Sequence, residues 1–287
     1  MSLLTRPFGP HQELLSIIGI GGVTVVGQDR EQATRLFDLA IDSGINYVDV
    51  APSYGSSQET EVRFGEALQG RRNRVFLACK TADRSAIGAR MELERSLAHL
   101  KTDYFDLYQL HAITSVEEVD RAFEPDGCMT AIIAAQQSGM VRHIGFSAHS
   151  VEAAIHALER YSFASALIPI NFVTTYSGGF GPQIIDACQR HKTSILALKA
   201  MALTHWTDDD VRTFPNCWYS PIEDEQLSEL ALRWTLSQPV TAAVPPGDLR
   251  LFHRALTFAQ RFTPIEPDEI AFLKHKAEGI HPIFSAS

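Results

Sequence analysis

Three strand-like apolar runs end on ionisable residues at equal intervals: NYVDV at Asp49, VFLACK at Lys80 and FDLYQLH at His111, with 31 residues between the first two and 31 between the last two. A chain of about 250 residues divided into eight strand-plus-helix units has about 31 residues per unit, and in such a barrel the reactive groups come from the C-terminal ends of several strands. Segments of helical period separate the runs, and alternating strand and helix is the pattern of a parallel sheet. The expected fold is α/β, a (β/α)8 TIM barrel formed by residues 1–287 as a single domain.

In chain order, residues 4–8 and 13–17 flank the polar turn 9–12 and predict a short N-terminal hairpin, with the first barrel strand at 16–20. A helix over 30–43 places Ala33, Leu36, Phe37 and Ala40 on one face, and Gly44 stands where a C′ glycine belongs. Strands follow at 45–50, 74–80 and 103–111. Helices follow Tyr54 up to Gly70, then at 86–100, then as one longer helix over 116–139. The remaining strands end near Ser147, Asn171, Lys199 and Val244, and a tail helix covers 267–279. An inserted polar and aromatic stretch, 201–221, extends the C-terminal face; loops of this length tend to serve as lids or binding loops.

Composition bounds the function. Hydrophobic residues make up 45% and charged residues 21%, which provides for a buried core, and a net charge of −9 argues against a nucleic-acid partner. The four cysteines are too far apart for a CxxC motif and read as free thiols of a reducing compartment. No apolar run reaches the ~18 residues needed to cross a bilayer, so the expectation is a cytoplasmic protein with no membrane partner. Oligomeric state and the physiological substrate are not legible at this level.

The sequence GIGGV at 19–23 invites a dinucleotide fingerprint, but the pattern G-x-G-x-x-G requires glycine where Thr24 stands. Gly21 and Gly22 read instead as positions that let backbone approach a ligand. Taken singly, Asp49 reads as a helix cap, Tyr54 as packing and His111 as a satisfied histidine. Together, Asp49, Lys80 and His111 end consecutive strands and surround one cavity mouth with Tyr54. Lys80 beside Asp49 stays charged, and its charge is expected to lower the pKa of Tyr54. Tyr54 then serves as an acid near neutral pH, with His111 orienting a carbonyl oxygen, a set suited to protonating the oxyanion formed by hydride addition. A lysine among these groups is an uncommon metal ligand, so no metal is expected.

DVAPSYG, the Lys80 of LACK, the His111 of LYQLH, HIGFS and the late PPG occur in the order found in the aldo-keto reductases, and over nearly its whole length the chain resembles that family. The wording GFSAHS and LALKAM is similar to bacterial members that often carry a C-terminal ferredoxin-like module, which the residues after His281, having no cysteine, do not supply. The resemblance implies a catalytic tetrad, with Tyr54 as general acid, Lys80 and Asp49 as its charge-tuning pair and His111 as the orienting group. It implies a nicotinamide dinucleotide, NADPH with NADH as the alternative, across the barrel mouth. Ser147 and Asn171 would face the carboxamide, although the usual Ser-Asn pair reads Ser147-Ala148. Where many members stack a tyrosine under the nicotinamide, Leu198 would offer an aliphatic shelf and Lys199 a charge for pyrophosphate. Pro246 and Gly247 would border the cofactor, with Arg250 and Arg254 for the adenosine 2′-phosphate, while Asp248 would repel it. Trp206, Trp218 and Tyr219 read either as a substrate wall or as anchors of the long loop, and His143 and His149 as surface or capping residues. The implied activity is NADPH-dependent reduction of aldehyde or ketone carbonyls. The alternatives are a nucleotide-binding regulatory or redox-sensing subunit with little turnover and a barrel enzyme of unrelated chemistry.

Overall fold

A computed structural model describes residues 3–10, 13–55 and 59–286. Strands β1 (Thr5–Pro7) and β2 (Leu14–Ser16) pair antiparallel as the expected hairpin. The barrel begins with β3 (Ile20–Gly21), α1 (Arg30–Asp42), β4 (Tyr47–Asp49) and α2 (Glu59–Ala67), and continues through β5 (Phe76–Thr81), α3 (Ala86–His99) and β6 (Phe105–Ile113). Two helices, α4 (Val116–Ala122) and α5 (Cys128–Gln137), lead to β7 (Val141–Ala148), α6 (Val151–Arg160) and β8 (Ser165–Pro169). Helices α7 (Phe172–Tyr176) and α8 (Pro182–His191) precede β9 (Ser194–Leu198). The long loop folds as a second hairpin, β10 (Ala202–His205) with β11 (Tyr219–Pro221). The chain then runs through α9 (Glu225–Leu236), β12 (Ala242–Val244), α10 (Leu249–Gln260) and α11 (Pro267–Ala277).

The eight barrel strands lie parallel in the order β12-β9-β8-β7-β6-β5-β4-β3. A parallel bridge between Ile18 and Ala243 closes the ring: the Gly19 N–H donates to the Ala243 carbonyl and the Ala243 N–H to the Ile17 carbonyl, both at 2.9 Å. None of the helices is long and apolar enough to cross a membrane among the described residues.

Two expected elements differ. Ser16 belongs to the hairpin, so the first barrel strand starts later than the 16–20 segment. The helix expected over 116–139 is broken, because Pro125 disfavours helical backbone at Glu124. The chain also passes so close to itself at Gly127 that a Cβ there would stand 2.4 Å from the Ala122 carbonyl oxygen. Helix α1 matches its expectation, with Ala33, Leu36, Phe37 and Ala40 buried and Gly44 at φ +92°. Positions 11 and 12 of the first turn and 56–58 of the second helix lie outside the described residues.

Strand periodicity of two sorts the side chains. On β5, Leu77 and Cys79 face the helices while Phe76, Ala78 and Lys80 face the barrel axis. Tyr47 and Asp49 of β4, and Leu107, Gln109 and His111 of β6, follow the same rule. The axis is thus apolar at its base and ionisable at its C-terminal end. Phe8, carried in by the hairpin and fully buried, closes the base, with its ring 4.9 Å from that of Phe76 and 5.5 Å from that of His143. Truncating such a ring leaves a cavity that the rigid barrel cannot collapse, so Phe8→Ala should lower unfolding free energy by ~3–5 kcal/mol, read from urea denaturation midpoints.

Candidate active site

The C-terminal ends of the strands open on a cavity of about 350 Å³ lined by Asp49, Tyr54, Lys80 and His111 together. Lys80 is fully buried, as is nearly all of Asp49. The Lys80 ammonium pairs with Asp49 Oδ1, donates to the Val50 carbonyl at 3.1 Å, and stands 3.2 Å from the Tyr54 hydroxyl. The other carboxylate oxygen of Asp49 accepts from the Tyr47 hydroxyl at 3.1 Å and from Gln109 Nε2 at 3.3 Å. Burial pulls the Lys80 ammonium down, but Asp49 and Tyr54 outweigh it and hold its pKa above the ordinary lysine value.

Tyr54 departs from expectation. Burial raises its pKa, the charge of Lys80 lowers it and that of Asp49 raises it, and the balance is upward. The phenol therefore keeps its proton at neutral pH, with a cation in place for the anion that loss of that proton would create. Gly22 makes room for the ring: a Cβ there would stand 3.1 Å from Tyr54 Cδ2.

His111 sits edge-on to Tyr54, ring centroids 5.9 Å apart. Burial first, then the charges of Lys80, His149, Arg84 and Lys199, push its pKa down to about 3, so the imidazole is neutral. A register shift between Leu110 and Ile113 sets its aim, and Ala112 beside it has φ +55°. Two long-range contacts hold this distorted strand end: Arg84 Nη2 donates to the His111 carbonyl at 2.6 Å, and the Ala112 N–H donates to Ser147 Oγ at 2.7 Å. Bulges of this kind re-aim side chains next to functional sites.

The remaining candidates divide. Gly21, Ser147, Leu198, Lys199, Trp218, Tyr219, Pro246 and Gly247 line the cavity. Asn171 does not: it caps α7, accepting from the Thr174 N–H at 2.8 Å, while its Nδ2 donates to the Lys199 carbonyl at 3.2 Å. Trp206 is an anchor, donating Nε1–H to the Cys217 carbonyl at 2.8 Å. Arg250 grips the Asp248 carboxylate with Nε and Nη2, both at 3.0 Å, and covers the Phe214 ring at 4.3 Å. Arg250 also donates to the Thr213 carbonyl and so braces the long loop against α10, whereas Arg254 donates to the Glu223 carbonyl beyond that loop at 2.8 Å; neither arginine lines the cavity. His143 lies at the opposite, closed end, against Glu13 and Phe76.

Sequence reasoning missed Tyr47 and Gln109, although each lies two residues before a strand-end ionisable group and so faces the same way. It also placed His149 outside the cavity it lines. His149 stacks on Phe284 with centroids 4.7 Å apart, and burial, with the charge of Lys199, lowers its pKa to about 4. Nothing local to either residue announces that contact.

Among the described residues no group of three His, Cys, Asp or Glu side chains could hold a metal. Leu167, Leu198 and Val244 offer an apolar surface next to polar Ser147 and Lys199, and the Val244–Gly247 backbone borders it. That combination suits a flat, amide-bearing heterocycle with an anionic tail.

Residues 17–217, more than half of the chain, match the model of the Aldo/keto reductase family. The uncharacterized oxidoreductase YqkF of Bacillus subtilis is 24% identical over 84% of this chain and 86% of its own. The holo form of an aldo-keto reductase from Bacillus halodurans superposes with a TM-score of 0.76 at 22% identity, covering 99% of this chain and 97% of its own. An aldo-keto reductase from Klebsiella pneumoniae in complex with NADPH has a TM-score of 0.72 at 22% identity, covering 96% of each chain.

His111 and His149 titrate lower in the folded chain than the ordinary histidine value of 6.5. Below that value the unfolded chain binds more protons, so their contribution to stability is present above pH 6.5 and is lost as pH falls toward 4. Melting temperatures from pH 7 to 4.5 should fall, and should fall less steeply in a His111→Asn, His149→Asn variant.

Proposed function

The chain belongs to the aldo/keto reductase family and is an NAD(P)H-dependent oxidoreductase, and on that premise we propose that it reduces aldehyde or ketone carbonyls with NADPH, using Tyr54 as general acid. The observation that carries this reading is the Tyr54 hydroxyl held 3.2 Å from a buried lysine ammonium at the cavity floor. When bound, the nicotinamide supplies a hydride to the carbonyl carbon. The Tyr54 O–H gives its proton to the carbonyl oxygen, and the tyrosinate left behind faces Lys80, whose charge is kept by Asp49. Neutral His111 donates an N–H to the same oxygen and fixes its direction, which is the preorganised polar arrangement that stabilises developing charge. Gly21, Ser147, Leu198, Pro246 and Gly247 form the cofactor wall. Asn171 supports it by fixing the Lys199 carbonyl, and Gly22 makes room for the Tyr54 ring.

Removing the phenolic proton donor leaves the cavity otherwise filled. Tyr54→Phe should keep NADPH binding, followed by quenching of protein fluorescence, while kcat for a simple aldehyde drops by ~10²–10⁴-fold, the worth of general acid catalysis. A variant retaining more than about a third of wild-type kcat would remove Tyr54 from that role.

The preference for NADPH over NADH rests on Arg250 and Arg254, one helical turn apart on α10. Arg250 is already paired with Asp248, which keeps the expected ratio modest. Among the described residues Arg254 uses one donor of its fork, on the Glu223 carbonyl, which leaves the others for a 2′-phosphate. The double change Arg250→Ala, Arg254→Ala should weaken NADPH binding and leave NADH binding nearly as it was; equal weakening of the two in fluorescence titrations would overturn the assignment.

A further inference from the structure

Two lysines face the cavity, and among the described residues only one of them has a hydrogen-bond or ion-pair partner. Lys80 is held by Asp49 and the Val50 carbonyl, whereas Lys199 Nζ makes no hydrogen bond or ion pair among the described residues. Its backbone is strained into that position. Lys199 has φ +67°, a conformation that disfavours a residue with a Cβ by ~1–2 kcal/mol. Its carbonyl is fixed there by Asn171 Nδ2 at 3.2 Å and by the Ala202 N–H at 2.9 Å. Strain held in place by surrounding contacts is a mark of functional positions. Here its result is the direction of the side chain, which lies across the rings of Trp218 and Tyr219 with the ammonium 5.2 and 5.0 Å from their centroids.

That ammonium shares the cavity with Lys80, Asp49, the Cys217 thiol and two neutral histidines. His149, on the same wall, has ring nitrogens with no hydrogen-bond partner among the described residues, its ring being held by Phe284. Asp49 is already committed to Lys80, Tyr47 and Gln109. Burial pulls the Lys199 ammonium down to about 8, as befits a desolvated cation lacking a counter-ion. Lys199 lines the same cavity as Tyr54 and His111, its charge is felt by both His111 and His149, and Lys199 feels Cys217, Lys80 and Asp49 in turn.

We propose that Lys199 and His149 form an anion subsite beside the reacting carbonyl, so that the preferred substrates are aldehydes or ketones carrying a carboxylate. The proposal rests on the carbonyl-reductase reading of the site. A cofactor pyrophosphate is the other source of an anion for Lys199, and the experiment separates the two.

The test compares two matched pairs, 4-oxobutanoate against butanal and 4-carboxybenzaldehyde against 4-methylbenzaldehyde, with NADPH as reductant. A hydrogen bond between charged groups contributes enough that the wild-type ratio of kcat/KM, carboxylated over neutral, should be ~10–100 in at least one pair. Lys199→Met should bring that ratio to near one, and Lys199→Arg should restore most of it. A wild-type ratio near one in both pairs, or an unchanged ratio in Lys199→Met, overturns the proposal. So does a rise in the NADPH dissociation constant of Lys199→Met with carboxylated and neutral substrates affected alike, which assigns the lysine to pyrophosphate. Succinate binding to the NADP⁺-loaded protein, measured by calorimetry, gives a reading independent of turnover. It should be detectable in the wild type and lost in Lys199→Met, and a wild-type Kd weaker than about 10 mM counts against the subsite. Turnover of neither aldehyde in either pair, with succinate still bound through Lys199, would sink the carbonyl-reductase reading and leave the subsite standing.

Discussion

The buried pair between Lys80 and Asp49 is the constraint on which the inner architecture depends. Two opposite charges lie out of water at the centre of the barrel mouth. Such a pair is tolerable only with good geometry and with the remaining donors and acceptors satisfied, and removing one partner from a buried pair typically costs ~3–5 kcal/mol. The remaining donors and acceptors are met from β4, the segment that follows it and β6: Tyr47, the Val50 carbonyl, the Tyr54 hydroxyl and Gln109. The residues that keep the charges stable are therefore those that fix where the proposed acid stands. Stability and site geometry share one network.

A second device recurs at two strand ends. Ala112 after His111, and Lys199 after β9, both take positive φ, and each is held by a polar side chain near the end of a neighbouring strand, Ser147 for Ala112 and Asn171 for the Lys199 carbonyl. In the sequence Ser147 and Asn171 look like ligand-contacting groups. In the fold Asn171 is spent on backbone, and Ser147 both borders the cavity and fixes the bulge that aims His111. A side chain aimed by such supports loses little freedom when a ligand arrives, which is the condition for a site of fixed geometry.

The electrostatics of the mouth run against those of the whole chain. The net charge is −9, yet the cavity gathers Lys199 and the Lys80–Asp49 pair, with neutral His111 and His149 beside them, and so carries a net positive charge. Low dielectric surroundings and a concave wall strengthen the local positive field, so the overall charge says little about what enters. Both arginines of α10 stand apart from this field, one of them paired with Asp248.

The barrel and its four central residues were legible because two periods are written in the chain. The repeat of 31 residues marks the strand ends, and alternation by two puts Asp49, Lys80 and His111 on the inward face of successive strands. Both periods are properties of regular backbone, which local sequence determines. The break in the 116–139 helix was in principle legible at Pro125. The direction of Lys199, the recruitment of His149 by Phe284, the fork of Arg250 on Asp248 and the turn of Asn171 toward backbone were not. These depend on a positive φ or on partners that are distant in sequence, or on which of two acceptors a polar side chain meets first. Tertiary structure alone decided them, because a residue's type states what it can bond and only the folded chain supplies the partner.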